Sequence, residues 1–204
     1  DEDIPNFPYI KLEEDSPEQE YLHARRKALH GYLPQRSPNF SGEFHVPELK
    51  EFESLLGEQT REISTTLAFV RMLNVLLKNK AICEHIVPIV ADEARTFGME
   101  GLFRQIGIYN PQGQNYMPQD REGVSYYKED KSGQVLQEGI NELGAIASWV
   151  AAATSYSTND LPMVPFYIFY SIFGFQRVGD MTWMAGDQQA RGFLLGATAG
   201  RTTL

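Results

Sequence analysis

The sequence predicts an α/β fold with a parallel sheet and flanking helices. Two short apolar runs, Ile86–Ala91 (IVPIVA) and Leu161–Tyr170 (LPMVPFYIFY), read as strands buried on both faces. A third apolar stretch, Gly192–Thr198, reads the same way near the end of the chain. Long helical patterns separate the three, and helix alternating with strand is the pattern of a parallel sheet with helical crossovers.

Composition bounds the class. The 204 residues suffice for one domain with a sizeable core, or one domain with an ordered extension. With 42% hydrophobic and 22% charged residues the chain reads as globular. A formal charge of −9 and a pI near 5.0 argue against nucleic acid or an anionic membrane as the main partner, because both select basic surfaces. The single Cys83 rules out an internal disulfide framework or thiolate metal cluster and fits a reduced, cytoplasmic compartment. The start, DEDIPNFPYI, is acidic and lacks the apolar core of a signal peptide. The longest apolar stretch, Met163–Phe175, contains a proline, a serine and two tyrosines and is too short to span a bilayer.

Taken in order, residues 1–20 carry eight acidic residues and three prolines and read as an extended arm. Ser16-Pro17 followed by acids predicts a helix over Glu18–His30, stopped by Gly31. The segment GYLPQRSPNFSGEFHVP is a wandering connection whose aromatics suit a protein surface better than a free linker. Pro47–Leu56 reads as a short helix. Thr60–Lys78 reads as a strongly amphipathic one, with Ile63, Leu67, Val70, Leu73 and Leu77 on one face. In the strand Ile86–Ala91, Pro88 is awkward for a central position. A helix is expected over Gly98–Ile106, then a polar loop, Asn110–Gln134, with a short strand at Val124–Tyr127. Leu136–Ala153 reads as one long helix and Gly174–Asp187 as another. The chain closes on a strand without a covering helix, which suggests a fragment.

The residues that could carry chemistry lie at strand ends and on one helix. Asp92-Glu93 follow the first strand, where ligands sit in parallel sheets, although a helix-start signal explains them equally well. Glu142 stands in a run that is otherwise apolar or small. If Ile140, Leu143, Ala147 and Val150 define the buried face, Glu142 lies on its flank: a solvated residue, or a dry carboxyl able to hold a proton at neutral pH. Phe166, Tyr167, Phe169, Tyr170, Phe173 and Phe175 read first as core, with some rings available to stack on a flat ligand. Arg177, Asp180 and Arg191 read as surface charges. The four histidines have neither metal-ligand nor triad spacing, no metal ligands are assigned, and no phosphate-binding glycine motif occurs.

Longer strings add a resemblance. IVPIVADEARTFGMEGLF, LQEGINELGA, ATSYSTNDLPM and FYSIFGFQRVGDMTWMAGDQQARGFLLGATAGRTTL, together with YLHARRKALHGYLP and EISTTLAFVRMLNVLLKNK, resemble the bacterial homodimeric pyruvate dehydrogenase family. This is the thiamine diphosphate-dependent, acetyl-transferring component of the pyruvate dehydrogenase complex. The resemblance covers the middle of a much longer polypeptide. It implies a lead-in arm over residues 1–46, and over 47–204 the N-terminal part of a transketolase-like pyrimidine-binding domain, incomplete at its C-terminus.

The same resemblance implies the site. Glu142 would bond N1′ of the aminopyrimidine, promoting the imino form that takes the thiazolium C2 proton. Asp92 and Glu93 would line the pocket, with Glu93 joining Glu142 as a catalytic group. Ile140 would pack beside the cofactor, Tyr170 and Phe173 would contact its ring, and Arg177 would lie close by. Implied partners are a second subunit, pyruvate, and the lipoyl domain of the dihydrolipoamide acetyltransferase component. The family holds diphosphate and Mg2+ through a GDG motif, which this sequence lacks, so the chain alone is expected to be inactive. A dimerisation module without a working site is the competing expectation.

Overall fold

The computed structural model describes residues 11–29, 31, 37–57, 62–119 and 126–197. Two units are distinguished, Asp1–Pro38 and Asn39–Leu204. In the first, Ser16 caps helix α1 (Pro17–Ala28) by accepting from the Gln19 amide at 3.3 Å, with acids in the first turn and Arg25, Arg26 and Lys27 in the last. The predicted helix ran to His30. The observed one ends at Ala28, where the Gly31 amide turns back onto the Arg26 carbonyl; His30 lies outside the described residues.

The second unit opens with a 3₁₀ turn, Leu49–Phe52, running into the short α2 (Glu53–Leu56). Helix α3 (Thr65–Lys78) is capped by Ser64, which accepts from the Leu67 amide at 3.1 Å. It buries Val70, Leu73 and Leu77, the face its periodicity predicts. Thr60 and Arg61 lie outside the described residues. Strand β1 (Ile86–Val90) follows, then β2 (Ile108–Tyr109), β3 (Glu129–Asp130) and β4 (Leu136–Gln137). Helix α4 (Glu142–Ala153) and the short α5 (Ser155–Thr158) lead to β5 (Val164–Tyr170). Helix α6 (Phe173–Asp187) leads to β6 (Phe193–Ala197).

The main sheet has the order β4–β1–β5–β6, with all pairs parallel. Alternation along the strands sends side chains to two different cores. Ile86, Val90, Phe166 and Ile168 pack with Val70, Leu73 and Leu77 of α3. Ile89, Tyr167 and Phe169 pack with Ala145, Ile146 and Trp149 of α4 and Val178 of α6. The sheet thus has α3 on one face and α4 and α6 on the other. Pro88 sits mid-strand in β1, contrary to the usual restriction. It is tolerated because Ile86, Pro88 and Val90 direct their backbone polar groups toward β4, and β4 pairs only from Ile89 onward.

Three predicted elements need correction. Gly98–Ile106 is not a helix: two 3₁₀ turns, Ala94–Phe97 and Glu100–Leu102, flank Gly98, whose φ of +71° ends the first. The strand expected at Val124–Tyr127 falls partly outside the described residues; Tyr126 and Tyr127 are not in a strand, and the ladder forms at β3 instead. Leu136–Ala153 is not one helix. Leu136 and Gln137 pair with β1, Gly139 turns the chain at φ +67°, and α4 starts only at Glu142. The last strand matches its prediction over Phe193–Ala197, and Thr198 lies outside the described residues.

Candidate active site

The face assigned to α4 from sequence is shifted around the helix, and only Val150 of it is buried. Ile140, Leu143 and Ala147 are exposed, and the buried stripe is Ala145, Ile146, Trp149, Val150 and Ala153. Counting back three and four residues from Ala145 and Ile146 puts Glu142 on the buried stripe, at the first residue of the helix. Its side chain is only 12% accessible. Asn141 begins the helix by accepting from the Gly144 amide at 3.0 Å. A Cβ at Gly144 would lie 2.5 Å from the Asn141 amide nitrogen, so the cap and the glycine belong together.

The partner of Glu142 comes from α6. Oε1 accepts a hydrogen bond from Nη1 of Arg177, whose side chain is 55% accessible. Arg177 is placed by Gly174: a Cβ there would lie 2.9 Å from the Cβ of Phe169, so the glycine lets the first turn of α6 lie against β5. The carboxylate also gains from its place at the start of α4, where backbone amides leave partial positive charge. Beneath this pair lies Tyr167 of β5, fully buried. Burial pushes its phenol well above the ordinary value, and the nearby charge of Glu142 pushes it in the same direction.

Two apolar side chains are exposed on the segments that carry this ion pair, two residues before Glu142 and one helical turn before Arg177. Ile140 precedes α4 and is 81% exposed; Phe173 opens α6 and is 57% exposed. Leu143 and Phe175 are exposed as well. A largely buried carboxylate with exposed hydrophobic neighbours suits a flat, ring-nitrogen-bearing ligand better than it suits water.

A second constellation sits at the carboxyl ends of β1 and β5. The Tyr170 hydroxyl donates to Oδ2 of Asp92 at 2.8 Å, and Oδ1 accepts from the Glu93 amide at 2.7 Å. Burial, then the Asp92 bond, raises the Tyr170 phenol. Its ring packs on Phe97, 5.3 Å between centroids, with the α3-side core. The Glu93 side chain is exposed, and among the described residues no hydrogen bond or ion pair joins it, or the Asp92–Tyr170 pair, to Glu142. Of the sequence candidates, then, the structure joins Asp92 to Tyr170 and Glu142 to Arg177. Arg191 instead lies over the Tyr156 ring, 3.8 Å from its centroid.

The chain's relatives share this segment at high identity. The family model described as the pyruvate dehydrogenase E1 component middle domain matches residues 45–204. The chain belongs to the pyruvate dehydrogenase E1 component family. It is 70% identical, along its whole length, to the pyruvate dehydrogenase E1 component of Escherichia coli (strain K12). It is 67% identical to that of Haemophilus influenzae and 58% identical to that of Pseudomonas aeruginosa, again over its whole length. In each case it spans 23% of the relative's own length. The resemblance read from the sequence strings is therefore correct. The parallel sheet with helices on both faces is the α/β, transketolase-like pyrimidine-binding arrangement expected of an E1 middle domain.

Sequence reasoning missed several residues around these pairs. Gln137 accepts from the Ala94 amide at 2.9 Å and so ties β4 to the turn after Asp92. Glu138 accepts from the Ser148 hydroxyl at 2.6 Å. Glu129 gathers Tyr116, Tyr127 and Asn110 at 2.5, 2.8 and 2.6 Å. The one available signal was Gly139, a helix-breaking residue inside the pattern read as continuous helix.

Proposed function

We infer that this chain is the aminopyrimidine-side portion of a thiamine diphosphate-dependent pyruvate dehydrogenase, the component that decarboxylates pyruvate and acetylates the lipoyl group of the acyltransferase component. The whole complex would yield acetyl-CoA, CO2 and NADH in the cytoplasm. The observation that carries this reading is the Glu142 carboxylate, nearly buried at the start of α4, two residues after the exposed Ile140 and paired with Arg177, one helical turn after the exposed Phe173. When bound, thiamine diphosphate supplies the carbanion-stabilising chemistry that decarboxylation of a 2-oxo acid needs.

The positions of the chain's own residues are compatible with these roles. Glu142 would bond N1′ of the ring. Ile140 and Phe173 would pack beside the ring and exclude water from it. Arg177 donates to one carboxylate oxygen of Glu142 from the solvent side. Asp92, oriented by Tyr170 and the Glu93 amide, and the exposed Glu93 carboxylate line the mouth of the cleft at the strand ends. Mg2+ and the diphosphate are held by other parts of the polypeptide, and the apolar rim of Ile140, Leu143, Phe173 and Phe175 is closed by a second subunit.

The same rim favours one other reading, a dimerisation module with no working half-site. Calorimetry separates the two. Thiamine diphosphate with Mg2+ is titrated into residues 1–204 alone, then into their mixture with the diphosphate-binding portion. Binding in the mixture only supports the enzyme reading. No binding in either, with self-association retained, supports the module.

A further inference from the structure

Among the described residues, Tyr167 is the largest side chain wholly withdrawn from solvent, at 0% exposure. It points from the middle of β5 into the layer under α4 and α6, among Ile89, Ile146, Trp149 and Val178. Its hydroxyl is buried and has no hydrogen-bond partner among the described residues. Buried phenol oxygens are nearly always bonded, and packing alone would be served by phenylalanine, which β5 uses at positions 166 and 169. An orphaned hydroxyl at this place is therefore a donor awaiting an acceptor.

An acceptor lies in the same layer. Glu142 shares the buried stripe of α4 with Ala145, Ile146 and Trp149, which pack on Tyr167 and its neighbours, and its charge is felt at the Tyr167 phenol. Arg177 engages only Oε1 of Glu142, whereas a carboxylate has room for several donors. Arg177 is half exposed and long, so by itself it leaves the carboxyl head free to swing. Tyr167 is on a central strand and cannot move.

We propose that Tyr167 is a positioning residue for Glu142: its hydroxyl donates to the Glu142 carboxyl from the core side in the cofactor-loaded enzyme, while Arg177 holds it from the solvent side. The proposal rests on the reading of Glu142 as the group that faces the cofactor ring. The division of labour is physical. The strand-borne phenol fixes the direction of the carboxyl, and the helix-borne guanidinium fixes its charge.

The test is a double-mutant cycle in the full-length enzyme, using Tyr167→Phe, Glu142→Gln and the pair, with kcat and the apparent KM for thiamine diphosphate and for pyruvate measured for each. Tyr167→Phe should lower kcat over KM for the cofactor by about tenfold, the size of one hydrogen bond to a charged group, with the pyruvate KM unchanged. In the Glu142→Gln background, which keeps only a neutral acceptor oxygen, it should cost much less, about threefold or under. Equal losses in both backgrounds, or none in the wild-type background while Glu142→Gln is impaired, would overturn the positioning role alone. An unimpaired Glu142→Gln enzyme would overturn the reading beneath it. Thermal unfolding of each variant controls for folding. A crystal structure of the loaded enzyme supplies an independent check: the phenol oxygen within hydrogen-bond distance of Glu142 supports the proposal, and a water or another group there instead contradicts it.

Discussion

Nη1 of Arg177, in the second turn of α6, donates to Oε1 of Glu142 at the first residue of α4, so the candidate carboxylate is ion-paired between two helices. Because the guanidinium is about half exposed, solvent screens much of the attraction. Arg177→Met should therefore cost at most about 1 kcal/mol of stability. Urea unfolding of the chain checks this, and a much larger loss would show that the pair is a structural clamp.

Asp92 and Tyr170 tie together the ends of β1 and β5. Tyr170→Phe keeps the packing on Phe97 and removes one hydrogen bond to a charged group. The expected loss is about 1–2 kcal/mol. Equilibrium unfolding measures it, and amide exchange at Glu93 should rise in parallel as the Asp92 carboxylate loses its second anchor.

Two glycines should respond in opposite directions. A Cβ on Gly133 would lie 2.3 Å from the backbone carbon and oxygen of Ile108, which cannot yield as a side-chain tip can. Gly133→Ala should destabilise by about 1–3 kcal/mol through forced backbone shifts. Gly179, inside α6, has nothing within 4 Å of its Cβ position. There Gly→Ala should stabilise the chain by about 0.5–1 kcal/mol. Melting temperatures of the two variants make the comparison.

Acid should loosen the loop between β2 and β4 before it loosens the sheet. Burial pushes the Glu129 carboxyl up, but bonds from Tyr116, Asn110 and Tyr127 outweigh it and leave it below the ordinary 4.5. The Ser132 amide, Lys128 and the Ser132 hydroxyl hold Asp130 well below its ordinary value. Both values are depressed in the folded state. Their stabilisation is therefore fully present above the ordinary carboxyl range and is lost as pH falls from there through the lower folded values. Amide protection factors over residues 108–117 and 126–130, compared between neutral pH and about pH 3.5, should fall more than those in β1 and β5.

Much of this fold is legible in the sequence because its central strands are buried on both faces. IVPIV and VPFYIFY could hardly be anything else, and α3 advertises its core through Val70, Leu73 and Leu77. Strand β4 was not legible. It is two residues long, and its Leu136 continues the apolar spacing of the helix that follows. The shifted face of α4 has a similar origin. Periodicity records which positions are apolar, not what they pack against, and Ile140 and Leu143 are apolar without being covered in this chain. Once the stripe of Ala145, Ile146 and Trp149 is known, Glu142 moves from a solvated flank to the edge of the core. The small residues on that stripe hid it. Asp92 was legible by its place at a strand end, whereas its bond to Tyr170, from a strand 78 residues on, was not.

The most direct test of the account is steady-state turnover of pyruvate by the full-length enzyme carrying Glu142→Gln. The substitution keeps the shape of the side chain and one acceptor oxygen, and removes its ability to exchange a proton. The variant should fold normally and turn pyruvate over about 100-fold more slowly or worse, the range for loss of a proton-transfer group. Turnover equal to that of the unsubstituted enzyme would remove Glu142 from the chemistry.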